Sequence, residues 1–315
     1  MAMSIPQPRL LKVPSEWRAR MAEGFRDLLA DKAGLLGTFV VFLVLVGAFL
    51  GPTLAPHDPA QQILINRLQP PAWAGGGSWD HILGTDGLGR DILSRLLHGA
   101  RVTLLVGVLV CVVAGSIGVL LGLISGYKGG RVDQFIMALV DTQLAFPGLL
   151  LALLILGLVG PSVKTVIIVL GINGWMVYAR MTRSIVLSLR EAPYIEAADL
   201  IGCRTRRVLF RHLLPNLASP LLTLFMLEFA RIVLAEAALS YLGYGVQPPG
   251  SSWGLMVSEG QQYMATAWWV ITFPGLAIGF TVLGVNLFAS WLRVQSDPQA
   301  RDSRFSRKTV EGAGL

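Results

Sequence analysis

From Val102 to Tyr127 the chain runs for 26 residues without a charged side chain. A helix needs about 20 apolar residues to cross the ~30 Å hydrocarbon core of a bilayer, so this run is long enough to span with tilt. The pattern recurs. Leu35 to Leu54 is uncharged, Phe135 to Leu158 carries only Asp141, and Ala267 to Trp291 is again free of charge. Between Lys164 and Arg180 lie 15 uncharged residues. A fourth span here requires Arg180 and Arg183 to sit near its end and snorkel. A fifth, Asn216 to Leu242, holds Glu228, Arg231 and Glu236. The expectation is an all-α polytopic membrane protein with six transmembrane helices.

Composition supports this and closes other routes. Charged residues make up 14% of the chain and hydrophobic ones 53%, against about 25% charged in an ordinary soluble domain. A disordered chain is poor in apolar residues, so that class is excluded too. Cys111 and Cys203 make no disulfide framework. The first span is longer than the 7–15 apolar residues of a signal peptide and follows a long mixed-charge segment, which reads as an uncleaved anchor.

Six spans place both termini on one side, and Lys and Arg choose the side. The amino tail, the 128–131 turn, the 180–212 segment and the carboxyl tail hold 20 of them. Arg67, Arg90, Arg95, Arg101 and Lys164 make five on the other side. The bias predicts cytoplasmic termini and an external 56–100 loop. Because the basic residues concentrate in loops, nucleic-acid binding is not expected.

Two loops exceed what a connector needs. In His81-Ile82-Leu83-Gly84-Thr85-Asp86-Gly87-Leu88-Gly89-Arg90-Asp91, Thr85 or Asp86 is a candidate cap. Leu88, Ile92, Leu93, Leu96 and Leu97 would then share one face, predicting an amphipathic helix along the outer surface that includes Asp86, Gly89, Arg90 and Asp91. The second loop reads Glu191-Ala192-Pro193-Tyr194-Ile195-Glu196-Ala197-Ala198-Asp199-Leu200-Ile201-Gly202. Pro193 suits a first helical turn, the acids come early, Arg204, Arg206 and Arg207 come late, and Gly202 suits a stop. This predicts a short cytoplasmic helix with a small-residue face at Ala197, Ala198 and Gly202. A solvated loop helix is the plainer alternative.

No Walker A sequence occurs in the chain, so ATP-driven transport would require a separate ATPase. Nor do the four histidines show metal-ligand spacing, and no Ser/His/Asp or Cys/His set is evident. No catalytic or metal residues are expected.

Glu196-Ala197-Ala198, then Gly202, then Leu214-Pro215 resembles the EAA loop of binding-protein-dependent ABC importer permeases. His81 to Arg101, Glu236 to Gly245 with Gln247-Pro248-Pro249, and Trp268-Trp269 with Phe273-Pro274-Gly275 resemble segments of the peptide branch, C-type permeases in particular. His212 departs from the family's usual aliphatic residue. A second Glu-Ala-Ala, at Glu236, lacks the following glycine and sits in a span.

The resemblance implies a cytoplasmic tail over 1–34 and an added anchor with its external loop over 35–100. It implies a five-helix permease core over 101–292, with a coupling helix near 191–204, and a cytoplasmic tail over 293–315. It also implies partners: a second homologous permease, two ATPases that hold ATP and magnesium, and an external peptide-binding protein. No cofactor is implied in this chain itself. Glu196, Ala197, Ala198, Gly202, Leu214 and Pro215 would couple to the ATPase in a bacterial plasma membrane.

Asp141, Glu228, Arg231 and Glu236 fall inside spans, where charges cost about 2.5–3.5 kcal/mol on insertion scales. Glu228 and Arg231 are spaced to pair on one helix face. Pathway lining is the alternative, and Asp141 is a candidate for a peptide amine or a helix end. The Gly47/Gly51, Gly118/Gly122/Gly126 and Gly275/Gly279 spacings suit close helix packing. Rival readings are the same machine carrying nickel or glutathione, and an ion-coupled secondary transporter, against which no half-to-half repeat is visible.

Overall fold

The structure, a computed structural model, describes residues 26–296. Most of the amino tail and nearly all of the carboxyl tail therefore lie outside the described residues. Among the described residues nine helices carry the architecture: α1 (Lys32–Leu54), α2 (Ile92–Lys128), α3 (Gly130–Leu144), α4 (Gly148–Val159), α5 (Val163–Leu189), α6 (Pro193–Leu200), α7 (Leu214–Tyr241), α8 (Trp253–Gly260) and α9 (Trp269–Ser296). A short turn, Thr205–Arg207, and a π-helical stretch, Val208–Leu213, lead into α7. Among the described residues there is no strand, only an isolated bridge between Thr85 and Asp91.

Among the described residues five helical stretches are long and apolar enough to cross a membrane, and α3 with α4 makes a sixth if the bent pair is one broken span. The sequence predicted one span over Phe135–Leu158. Instead α3 and α4 meet at 83°. Pro147 is the cause: it lacks an N–H and disfavours helical backbone at Phe146. The fourth span is longer than expected, because α5 continues past Arg180 and Arg183 to Leu189. Those arginines are paired with α3 rather than left to snorkel. Arg183 meets Asp133 through both its Nε and Nη2, the latter at 2.6 Å from Oδ2. Arg180 meets Asp141. Charges on facing helices thus satisfy one another.

The α2–α5 contact is the closest in the bundle and follows from glycine spacing. A Cβ on Gly118 would lie 2.2 Å from the Trp175 carbonyl oxygen, and one on Gly122 2.6 Å from that of Ala179. Gly126 meets the Val186 side chain in the same way. Small residues at this period let the backbones touch, the main source of helix affinity within lipid. Gly51 packs on Leu97, whereas Gly275 and Gly279 meet nothing within 4 Å. A close contact absent from the sequence reading joins α1 to α9, where a Cβ on Gly37 would lie 2.6 Å from the Phe288 backbone nitrogen. The central core joins Val106 and Val110 of α2, Leu156 of α4, Val166 of α5, Val233 of α7 and Val285 of α9.

Candidate functional site

One end of the bundle carries α6. Ile195 is fully buried among Leu123, Val186, Val208, Leu213 and Leu217, which fastens the helix to the ends of α2, α5 and α7. Tyr194, Glu196 and Ala197 are exposed. Leu200 and Ile201 are 88% and 80% exposed, an apolar pair that a monomeric water-facing loop has no use for. Gly202 follows with φ +74° and open space around its Cβ position. Only the backbone conformation demands glycine from within this chain. Anything else that demands it must approach from outside. Downstream, Arg204, Arg206, Arg207, Phe210 and Arg211 line a basic hollow. Leu214 begins α7 and Pro215 lies in its first turn, where its missing N–H costs nothing.

The intramembrane charges divide in two. Glu228 is buried and accepts from Arg231 Nε at 2.9 Å, while the Arg231 side chain is 59% exposed. Asp141 and Arg180 form their pair with both side chains exposed, at 66% and 56%. Glu236 differs. It is wholly buried, takes a hydrogen bond from Ser240 Oγ at 2.6 Å, and faces no open surface. Ser252, the N-cap of α8, donates in turn to Ser240 Oγ at 3.3 Å, so this acid helps join α7 to α8. The pairing expected of Glu228 and Arg231 is present in the structure.

The outer-surface helix is not present as expected. Residues 85–91 form a tight turn closed by the Thr85–Asp91 bridge, and the helix begins at Ile92 as the first turns of α2. Asp91 is its cap, accepting from the Ser94 backbone N–H at 2.7 Å. Asp86 is prevented from capping because its Oδ1 is already occupied by the N–H groups of Leu88 and Arg90, at 2.8 and 3.0 Å. Gly89 adopts φ +73° with its Cβ position 2.0 Å from the Ile63 carbonyl oxygen, so no other residue fits the turn.

Asp86, Arg90 and Asp91 are consequently buried, not spread over a surface. Asp86 Oδ2 takes Arg90 Nε at 2.7 Å and also Arg95. Glu259 of α8 meets Arg90 and Arg95, each at 2.7 Å. Burial alone would lower the Arg90 guanidinium, but Asp86 and Glu259 outweigh it and hold it above the usual arginine value.

A family profile described as "Binding-protein-dependent transport system inner membrane component" matches residues 118–302. The chain belongs to that family. A second profile, the N-terminal TM domain of oligopeptide transport permease C, matches residues 20–71. The chain is 45% identical over 271 residues to the dipeptide transport system permease protein DppC of Escherichia coli (strain K12), covering 86% of this chain and 90% of that one. It is 39% identical over 283 residues to the di/tripeptide transport system permease protein DppC of Pseudomonas aeruginosa (strain UCBPP-PA14), covering 90% and 93%. A Bacillus subtilis (strain 168) protein named dipeptide transport system permease protein DppC is 34% identical over 301 residues, covering 95% and 90%.

For this inner membrane component, three features escaped the sequence. Arg95 and Glu259 complete the Asp86–Arg90 network from positions distant in the chain. Leu200 and Ile201 look like ordinary helix-end residues until their exposure is known. His57 and His81, whose spacing carries no metal signature, are brought together with Asp91 by the fold of the loop. Thr85, which the Asp91 bridge closes on, hydrogen-bonds through its own carbonyl to Trp269 Nε1 of α9 at 3.2 Å.

Proposed function

We propose that the chain is a transmembrane permease subunit of a peptide ABC importer, moving dipeptides or short oligopeptides inward. It acts without an ATP site of its own. The observation that carries this reading is α6: a helix anchored by buried Ile195, presenting Glu196, Leu200 and Ile201 outward and ending at a glycine whose surroundings are empty. A separate ATPase binding ATP and magnesium docks there, and Glu196, Ala197, Ala198 and Gly202 form the contact. Leu214 and Pro215 start the long helix that receives the movement, through the π-helical stretch before it.

Relatives named for dipeptide and di/tripeptide transport support the cargo. The exposed charges support a pathway. Arg231 and the Asp141–Arg180 pair cannot face hydrocarbon cheaply, so that surface meets water or a second homologous permease subunit. An external peptide-binding protein supplies the substrate. The Lys and Arg bias supports cytoplasmic termini, with 56–100 outside and 190–212 inside a bacterial plasma membrane. The segmental division at 34, 100 and 292 follows from the same topology.

ATP-dependent uptake of labelled dipeptide in cells lacking their own dipeptide permease tests the reading. Complementation by the wild type and failure of Gly202→Trp, with both proteins inserted equally, is expected. Restored nickel or glutathione uptake without dipeptide uptake would transfer the same machine to another cargo. Normal uptake by Gly202→Trp would remove the coupling assignment.

A further inference from the structure

Where α1 ends and α2 begins, the loop gathers three side chains that the transport reading does not use. His57 stands just beyond α1, His81 lies on the returning limb of the loop, and Asp91 caps α2. His81 Nδ1 is 2.9 Å from Asp91 Oδ1, and His57 Nδ1 is 3.9 Å from the same oxygen. The two imidazole rings lie 4.7 Å apart between centroids. One ligand atom from each of the three residues falls within 4.8 Å of the other two. A tetrahedral ion bound at about 2.0–2.1 Å sets its ligand atoms roughly 3.3 Å apart. The two contacts on Asp91 bracket that spacing, and the third ligand distance stays within 4.8 Å, so small side-chain shifts bring the three groups onto one ion.

A hydrogen bond accounts for His81 and Asp91 on their own. It does not account for His57. Its Nδ1 is buried without a hydrogen-bond partner, and 3.9 Å is too long for one. An unsatisfied buried nitrogen of this kind is destabilising, and a bound cation would relieve it.

Second contacts hold all three groups in place. Asp91 Oδ2 takes the Ser94 N–H at 2.7 Å, which leaves Oδ1 toward the imidazoles. Ser94 Oγ accepts the His57 backbone N–H at 3.0 Å. Asn66 Nδ2 lies 3.3 Å from His81 Nε2; with Nδ1 on an ion Nε2 carries the proton, so the Asn66 amide turns its oxygen to accept it. Outer contacts of this kind orient ligands in metal sites.

We propose that His57, His81 and Asp91 bind a divalent first-row transition ion of the zinc class, through the two Nδ1 atoms and Oδ1. Two imidazoles and one carboxylate suit zinc and its neighbours, whereas calcium and magnesium require oxygen ligands. His81 and Asp91 are buried, and the His57 side chain is 29% exposed, so the ion enters from the His57 side and water completes its shell. Bound there, it fastens residue 57 to residue 91 and closes the loop at both ends. The proposal does not depend on the cargo or on the docking role of α6.

The test uses the full chain, purified in detergent on a tag without histidines and stripped with chelator, and zinc alone as the probe. One zinc per chain after desalting, and a melting temperature raised by zinc through mass action, is expected. In His57→Ala the binding should weaken by more than the ~10–100-fold that loss of an outer-shell partner costs, while the stripped variant keeps a cooperative thermal transition. Cobalt added to the stripped wild type should give the visible absorption of a tetrahedral nitrogen and oxygen site. That measurement stands even if the variant misfolds. Absence of saturable zinc and of the cobalt spectrum, or equal zinc binding by folded His57→Ala, would overturn the site.

Discussion

The two ends of the helix bundle treat charged and apolar side chains in opposite ways. Where α2 begins, Asp86, Arg90, Arg95 and Glu259 neutralise one another, two against two, and Arg95 is nearly inaccessible. Where α6 lies, Glu196 is exposed, Leu200 and Ile201 stand in solvent, and arginines surround a hollow with no acid among its lining residues. At the first end these four charges find their partners within the chain. The second leaves charged and apolar side chains exposed, and under the proposed function an ATPase covers them. Substitutions at the first should therefore be read as loss of structure, and substitutions at the second as loss of function with structure intact.

The sharpest way to break this contrast is Arg95→Met. Removing one member of a buried charge network leaves others uncompensated, at about 3–5 kcal/mol. Thermal unfolding in detergent should show a large drop, and a variant as stable as the wild type would mean the network is not structural. Gly122→Leu comes next. It drives a side chain into the Ala179 carbonyl of α5, and overpacking of this type costs about 1–3 kcal/mol, read as reduced stability and reduced yield of inserted protein. Ser240→Ala removes the hydroxyl that serves buried Glu236. About 1–3 kcal/mol is again expected, which Glu236→Gln should partly restore when combined with it.

At the other end the expected stability effects shrink toward zero while transport disappears. Glu196→Lys changes an exposed side chain, so its stability should stay within about 0.5 kcal/mol of the wild type, with uptake lost. If Glu196→Lys melted the protein, α6 would be part of the core and the contrast would fail.

Much of the architecture was legible because lipid imposes a simple rule on length and charge. Val102–Tyr127 and Ala267–Trp291 announced α2 and α9 directly, and the glycine period at Gly118, Gly122 and Gly126 announced a close helix contact but not its partner, α5. The stop at Gly202 was also legible, since a glycine after a short helix has few other uses. The break between α3 and α4 was hidden by uniform hydropathy, although Pro147 stood in plain view. The fate of residues 85–91 was misjudged because hydrophobic periodicity continues through them, whereas the tertiary hydrogen bonds of Asp86 and the approach of Ile63 decide the turn. Arg180 and Arg183 were read from their position along one helix, but their partners belong to another. The His57–His81–Asp91 cluster depends on the path of the whole loop, which no local pattern encodes.

Mild-detergent purification of the chain from its native cell, with mass spectrometry of what accompanies it, tests the central claim most directly. The account predicts a second permease and P-loop ATPases with the wild type, and loss of the ATPases with Glu196→Lys combined with Gly202→Trp while the chain itself remains folded. A chain that purifies alone and moves substrate into vesicles on an ion gradient would contradict it, and would make α6 an ordinary loop helix.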